Sequence, residues 1–335
     1  MRLCEQKMIM EQKILLSQLA TDTLKGLSSN PKYLLSKYFY DDEGSRIFQD
    51  IMNMPEYYLT DCEHEIFASQ KEKITQAICP ENKLFNLVEL GSGDGLKTKI
   101  LLKHLVEKGI NFQYTPVDIS AKANHELVES LKKELPTLQV EAKTGDYFRK
   151  LKNLNGHASI QKIILFLGAN IGNFSENETT EFLSQLSAYS NPGDKVLIGV
   201  DLKKSPRVIM NAYNDPHGHT RRFNLNHLVR INRELDADFD IRQFEQQTTY
   251  NPQTGEVKSF LISNTEQTVQ IGALEKEFHF EKWEAVFMER SRKYGIQTIE
   301  KLALNYGFKV VQNFTDQRNY FVDSLWEKIK QDEKI

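Results

Sequence analysis

The feature that most constrains this chain is Glu89-Leu90-Gly91-Ser92-Gly93-Asp94-Gly95, a glycine-dense turn lying directly after an apolar run and directly before a helical one. Glycines permit a tight turn and close approach of backbone to a ligand. The helix N-terminus behind them offers unpaired N–H groups and positive partial charge, which suit a phosphate or a carboxylate equally. Around this turn, short apolar runs recur at Leu84–Leu90, Phe112–Asp118, Leu138–Ala142, Ile163–Leu167 and Val196–Asp201, with helices predicted near Lys97–Lys108 and Ala121–Leu135. Strands alternating with helices mean βαβ units, hence an α/β, Rossmann-like parallel sheet with ligand sites at the carboxyl ends of its strands.

After Asp201 the alternation stops. Runs at Val257–Ser263 and Thr268–Gly272 read as hairpin-like strands, the first preceded by the turn signals Asn251-Pro252 and Gly255. A helix at Ile296–Tyr306, ended by Gly307, leads into Phe308–Phe314 and Tyr320–Trp326, which can complete the sheet. Toward the N-terminus, Gly44-Ser45 precedes a helical stripe (Ile47, Phe48, Ile51) ended by Pro55. Thr60 with Glu63 reads as a capping box opening a second helix, whose stripe of Ile66, Phe67, Ile74 and Ile78 runs to Pro80. Two domains, discontinuous in sequence, are therefore expected: a core of 61–201 with 294–335, and an α+β substrate cap of 1–60 with 202–293.

Composition excludes several classes. With 40% hydrophobic and 10% aromatic residues over 335 positions, the chain can fill a core. Its 43 Lys and Arg against 46 Asp and Glu, spread without a basic stripe, argue against nucleic acid as a partner. Cys4, Cys62 and Cys79 make no C-x-x-C and no even framework, so neither disulfides nor structural zinc are expected, which fits a reducing cytoplasm. Met1 to Lys13 lacks the apolar stretch of a signal peptide, and no run of 18 apolar residues exists, so neither export nor membrane insertion is expected. His217-Gly218-His219, with His227 nearby, reads as a polar loop rather than a metal site.

A dinucleotide-binding G-x-G-x-x-G needs a small third residue where the helix packs on the strand, but Leu96 occupies that position. The G-x-G-x-G pattern instead favours the methionine carboxylate of S-adenosylmethionine at Gly91, Ser92 and Gly93. Asp118, ending the second strand, is placed to accept hydrogen bonds from both ribose hydroxyls, and Asp146 in Gly145-Asp146-Tyr147 from the adenine amino group. Lys97 reads either as an exposed helix residue or as a partner for a cofactor carboxylate. A dinucleotide-dependent oxidoreductase and a catalytically silent ligand-binding relative are the competing classes.

With those residues placed, the chain resembles the histidine N-alpha-methyltransferase family of ergothioneine biosynthesis along nearly its whole length. The signatures are Lys37-Tyr38-Phe39-Tyr40-Asp41 with Gly44-Ser45, Pro55-Glu56-Tyr57-Tyr58, Glu89-Leu90-Gly91-Ser92-Gly93, Gly168-Ala169-Asn170-Ile171-Gly172-Asn173, Ala212-Tyr213-Asn214-Asp215 and Asn232-Arg233-Glu234-Leu235. The resemblance implies a class I methyltransferase sheet with a substrate cap, S-adenosylmethionine as cofactor, and N-methylation of an amino acid, up to the trimethylated betaine hercynine. It implies that Gly91, Lys97, Asp118, Asp146 and Tyr147 touch the cofactor. It places Tyr57, Asn173 and Tyr213 at the amino and carboxylate end of the substrate, as the catalytic set, with Glu289 and Ser291 reading the side chain. A monomer acting on a small-molecule amino acid is expected.

Physical chemistry makes these roles reasonable. If Val286–Lys293 is a strand, Glu289 and Ser291 point to one face, and a carboxylate with a hydroxyl suits the donor and acceptor of a neutral imidazole. Two polar residues on a wet strand face is the plainer alternative. The Asn173 amide can donate to a carboxylate and accept from an amine, or simply cap the helix that follows at Ser175-Glu176. Tyr40, Tyr57 and Tyr213 suit a quaternary ammonium product, or serve as core aromatics. Where the family writes a histidine and a threonine before the acid, this chain has Phe287 and Met288, and Phe260 replaces a methionine. Histidine leads as substrate, with tryptophan or another aromatic amino acid as the alternative.

Overall fold

A computed structural model describes residues 17–79, 83–154 and 160–330. The expectations placed on Met1 to Lys13, Cys4 and Pro80 lie outside the described residues. In chain order the elements are α1 (Gln18–Leu27), α2 (Asp42–Met52), α3 (Tyr58–Ile78), β1 (Phe85–Leu90), α4 (Thr98–Glu107), β2 (Phe112–Asp118), α5 (Ala121–Glu134) and β3 (Lys143–Thr144). They continue as α6 (Tyr147–Leu154), β4 (Gln161–Phe166), α7 (Glu176–Ala188), β5 (Lys195–Asp201), α8 (Pro206–Tyr213), α9 (His219–Leu235), β6 (Phe244–Asn251) and β7 (Glu256–Ser263). The last are β8 (Gln267–Ile271), β9 (Lys276–Phe280), β10 (Ala285–Arg292), α10 (Ile296–Asn305), β11 (Phe308–Thr315) and β12 (Phe321–Lys328). The chain forms two compact units: one from the stretch ending at Glu56 with Pro206–Tyr250 and Val257–Arg290, the other from Tyr57–Ser205, Asn251–Glu256 and the stretch beginning at Ser291.

The second unit holds a seven-stranded sheet in the order β11-β12-β5-β4-β1-β2-β3. Strands β1 to β5 pair in parallel, and β12 lies antiparallel between β5 and β11, so the late apolar runs do complete the sheet. From β1 the chain builds outward through β2 and β3, then returns to lay β4 on the other side of β1. The order therefore reverses between β1 and β4, where ligands bind in such folds. Val88, Leu90, Val117, Ile164, Phe166, Val196 and Ile198 form one core with Phe182 and Leu186 of α7 and Trp326 of β12.

Three local expectations are corrected. The third strand is regular only at Lys143–Thr144, while Leu138–Ala142 joins the sheet through a single bridge of Val140 to Tyr114. Pro116 supplies the reason: Tyr114 and Asp118 bond toward this edge (Gln139 O to Tyr114 N 2.9 Å, Gly145 N to Asp118 O 2.9 Å), and by alternation the residue between them faces it without an N–H. Thr60 and Glu63 form no capping box; α3 begins at Tyr58 with Tyr57 in the cap position, and Glu63 is buried. The runs at Val257–Ser263 and Thr268–Gly272 do not pair with each other, since β7 lies between β10 and β6, and β8 pairs with β9. The turn signals belong to the β6–β7 connection, where Gly255 at φ 77° donates to the Asn251 carbonyl at 2.7 Å.

The first unit combines α1, α2, α8 and α9 with strands, and two of the resemblance motifs serve as its clamps. Asp41 caps α2 through Gly44 N–H (2.7 Å) and also accepts from Asn226 (2.8 Å) and Arg233 (2.7 Å) of α9. Gly44 is obligatory there because a Cβ would stand 1.7 Å from the Phe39 carbonyl oxygen. Asp215 accepts the first N–H groups of α9, from His219 at 3.0 Å and Thr220 at 2.8 Å.

Candidate active site

The glycine turn follows β1 and faces the carboxyl end of β2. Gly91, Gly93 and Gly95 all have positive φ (76°, 50° and 66°), a backbone shape that other residues adopt only at a cost. The turn is tied to β2 by Gly91 N to Val117 O (2.8 Å) and by Gly93 N to Asp118 Oδ2 (3.2 Å). Asp118 Oδ1 accepts from Ser120 N at 2.8 Å, so both carboxylate oxygens are aimed by backbone and each keeps a further lone pair for a ligand diol. A Cβ at Gly91 would stand 2.9 Å from the Tyr147 hydroxyl, so this glycine is what lets Tyr147 close over the turn. Burial, then the charges of Asp118 and Asp146, push the Tyr147 phenol up to about 12, which keeps it a neutral donor. Asp146 stands at the start of α6, where Oδ1 accepts from Arg149 N at 3.0 Å. Ser92 is buried within the turn.

Beneath the turn lies a buried charged cluster. Glu89 is held by the hydroxyls of Thr98 (2.5 Å) and Tyr114, and burial raises its carboxyl to about 7 against those bonds. Lys97 forms an ion pair with Glu63, whose other oxygen accepts from Gly168 N at 2.8 Å. The Lys97 ammonium lies 3.7 Å from where a Cβ of Gly168 would be, so the lysine is directed to the end of β4. Burial opposes its charge, and the Glu63 carboxylate outweighs burial, leaving its pKa raised. Asp323 of β12 is driven well above the ordinary carboxyl range by burial and then by Glu63. Gly199 makes room for this cluster, since a Cβ there would meet Glu63 Oε1 at 2.3 Å and Asp323 Oδ1 at 3.3 Å.

After β4, Gly168 and Ala169 both take left-handed conformations (φ 78° and 56°) and lead into a 3₁₀ turn at Asn170–Asn173. A left-handed alanine is strain of the kind that accumulates at functional positions. The turn rests on the segment after β10: a Cβ at Gly172 would be 2.7 Å from the Arg292 carbonyl oxygen, and the Tyr294 hydroxyl donates to Ile171 O at 3.4 Å. Asn173 is exposed and is not needed as a helix cap, because Ser175 and Glu178 form a complete capping box at α7. Tyr57 is half-buried ahead of α3, in the same unit.

In the other unit, the Tyr40 ring packs edge-on against Phe48 (5.4 Å) and Phe223 (5.3 Å) and is 47% exposed. Tyr213 ends α8, where its carbonyl accepts from Thr248 at 2.7 Å, and its side chain is half-buried. Glu289 lies on β10, in register with Phe287 and Ser291. Met288 is buried on the alternate face of the strand, so of the flanking departures Phe287 is the one sharing a face with Glu289. Its ring contacts Phe260 at 5.8 Å. His217 and His219 are 5.8 Å apart, whereas His227 is buried with its ring 5.5 Å from Phe39. No group of three or more metal-binding side chains occurs among the described residues.

Sequence reasoning missed a second buried network. Lys293 and Asp201 are fully buried and paired at 2.7 Å, and Lys293 Nζ also donates to Ser291 Oγ at 2.8 Å. Asp201 further binds Lys204 and accepts from the Tyr58 hydroxyl at 2.9 Å. The only signal in the sequence was Tyr58 inside one motif and a lysine two residues beyond Ser291.

Known proteins resemble this chain over most of its length. A family described as "Histidine-specific methyltransferase, SAM-dependent" matches residues 19–328. The chain is 33% identical over 310 residues to the histidine N-alpha-methyltransferase of Mycobacterium tuberculosis, covering 92% of this chain and 95% of that one. It is 27% identical over 287 residues to ergothioneine biosynthesis protein 1 of Schizosaccharomyces pombe, covering 84% of this chain and 37% of that one. A 4-dimethylallyltryptophan N-methyltransferase of Claviceps fusiformis is 27% identical over 208 residues, 58% of this chain and 57% of that one.

Proposed function

The chain belongs to the histidine-specific, S-adenosylmethionine-dependent methyltransferase family, and we propose that it methylates the α-amino nitrogen of L-histidine, up to the trimethylated betaine. The observation that carries the substrate is β10, on which Glu289 and Ser291 stand two residues apart on one face. A carboxylate accepts the N–H of a neutral imidazole, and a hydroxyl serves its other nitrogen.

Bound S-adenosylmethionine supplies an electrophilic methyl group on a positively charged sulfur. Gly91, Ser92 and Gly93 would let the backbone of the turn approach its carboxylate closely, Asp118 would hold the ribose hydroxyls, and Asp146 and Tyr147 would hold the base. Lys97 keeps the end of β4 in place through Glu63 and Gly168. Tyr57, Asn173 and Tyr213 orient the amino and carboxylate end of the amino acid, because in-line displacement requires the nitrogen lone pair to be aligned about 3 Å from the methyl carbon. An α-ammonium is the main form near neutral pH, so the nitrogen must lose a proton before each transfer; Tyr213, or Tyr57 through water, would accept it on the hydroxyl oxygen while releasing its own hydroxyl proton to solvent. Tyr40, Tyr57 and Tyr213 then face a product of fixed positive charge, which aromatic faces attract. The protein supplies no covalent nucleophile in this scheme; positioning and exclusion of water carry the rate.

One observation favours a second reading, a larger apolar aromatic such as tryptophan: Phe260 and Phe287 touch on the face that carries Glu289. Methylation of histidine and of tryptophan by wild type and Glu289→Ala separates the two. Histidine is expected to lose about 30- to 150-fold in kcat/KM, roughly 2 to 3 kcal/mol, while tryptophan changes little. A wild type that prefers tryptophan, or unchanged histidine turnover in the variant, contradicts the assignment.

A further inference from the structure

Asp323 is fully buried on β12, and among the described residues no N–H group donates to either of its carboxyl oxygens. Its hydrogen-bond partner is a second acid, Glu63, whose side chain is buried as well. Two carboxylates have no hydrogen between them, so this contact exists only when the pair holds a proton. Burial, then the Glu63 charge, drives that proton onto Asp323. The two acids together thus carry one negative charge, and Lys97, ion-paired to Glu63, cancels it. With both acids ionised, the same space would hold an unbalanced buried charge.

Lys97 is not enclosed with its partners. Its side chain is 23% exposed against 1% for Glu63, and its ammonium is directed to the end of β4. Glu63 is its one hydrogen-bond acceptor among the described residues, so its other N–H groups remain for a ligand. To hold a carboxylate, a lysine needs no counter-charge. S-adenosylmethionine, however, also brings a positive sulfur, which an uncompensated ammonium repels. We propose that Glu63 and Asp323 act as a single acid with a shared proton, whose one negative charge offsets Lys97 and sets how well the site takes the sulfonium cofactor relative to S-adenosylhomocysteine, the neutral sulfide that methyl transfer leaves. This rests on the reading of Lys97 as a cofactor residue. The other titratable groups beside the cluster are Glu89 of β1 and Tyr114 of β2, hydrogen-bonded to each other. Burial raises Glu89 to about 7, so at pH 6 it is mostly protonated and adds little charge.

The test is the affinity of S-adenosylmethionine relative to S-adenosylhomocysteine, read by calorimetric titration of the full chain at pH 6 without amino-acid substrate. Glu63→Gln combined with Asp323→Asn removes the shared charge at nearly constant shape. It should weaken S-adenosylmethionine about tenfold more than S-adenosylhomocysteine, the order of effect of one unit charge acting across a protein interior. Asp323→Asn alone should leave the ratio within about twofold, because the acid it replaces is already neutral. Glu63→Gln alone should also leave it, because Asp323 then takes the charge beside Lys97. Lys97→Gln should weaken both ligands and shift the ratio in the opposite sense. Equal losses of both ligands in the double variant, or the full shift in either single acid variant, would overturn the shared charge while leaving Lys97 at the cofactor. If the double variant does not fold, Lys97→Gln decides: both ligands weakened with an unshifted ratio would overturn the shared charge. Wild-type affinity for both ligands in Lys97→Gln would overturn the placement of Lys97 and the proposal with it.

Discussion

Among single residues, the site is built from polar groups whose orientation is fixed by neighbours. Asp118 has both oxygens directed by backbone N–H groups and is only partly buried, so it shapes a ligand site without carrying the core. Asp118→Ala should therefore weaken S-adenosylhomocysteine by roughly 2 to 4 kcal/mol in a calorimetric titration while the melting temperature stays near that of wild type. Near-normal affinity in that variant would remove the cofactor site as drawn. Asp118 and the glycines were legible because they sit at a strand end beside a turn, a local pattern. Glu63 was misread for the same reason: a Thr three positions before a Glu imitates a capping box, whereas its partners Lys97 and Gly168 lie 34 and 105 positions away. Lys293 was invisible because its partner Asp201 lies far away in sequence at the end of β5, and nothing local marks a lysine as buried.

At the scale of elements, the strands and helices of the sheet were legible wherever an apolar run ended in a recognisable cap or turn, as β2, α5 and α10 were. The third strand escaped because it is a short polar edge beside Pro116, so its hydrophobic signal lies just ahead of its regular pairing. Pairing in the other unit also escaped, since a run of strands with short connections does not say which neighbours join. Helix α9 carries a property that its sequence does not announce. His227 is packed between the rings of Phe39 and Tyr38, and among the described residues neither ring nitrogen finds a hydrogen-bond partner. Burial, then the Arg230 charge, lowers its pKa to about 3, so the unfolded chain takes up a proton below the usual histidine value and the folded chain does not. Its contribution is intact above pH 6.5 or so and is lost progressively as pH falls toward 3, about 2 kcal/mol of it between pH 7 and pH 5. Denaturant titrations at those two pH values should show that His227→Leu removes this part of the acid sensitivity. An unchanged difference between pH 7 and pH 5 would mean that the histidine is not held neutral.

At the scale of the whole molecule, two units share the residues singled out for function. The sheet unit holds Gly91, Ser92, Gly93, Lys97, Asp118, Asp146, Tyr147, Asn173, Tyr57 and Ser291, and the other holds Tyr40, Tyr213 and Glu289. The motifs that carry the family likeness are divided in the same way, and several act as clamps: Asp41 on Asn226 and Arg233, Asp215 on the start of α9, and Asn232 on both backbone groups of Phe239. Family membership was therefore readable from long motifs whose job is partly to hold the scaffold, while Glu289 and Ser291, the residues proposed to read the substrate, sit among departures at Phe260 and Phe287. No helix among the described residues is long and apolar enough to cross a membrane. The proposed reaction is methylation of the α-amino nitrogen of histidine. Incubation of the full chain with S-adenosylmethionine and histidine, followed by mass spectrometry with fragmentation of the product, measures that directly. Successive methyl additions on the α-nitrogen, ending at the trimethylated betaine, are expected; an unmodified histidine, or a methyl group placed on the imidazole ring, would rule the reaction out.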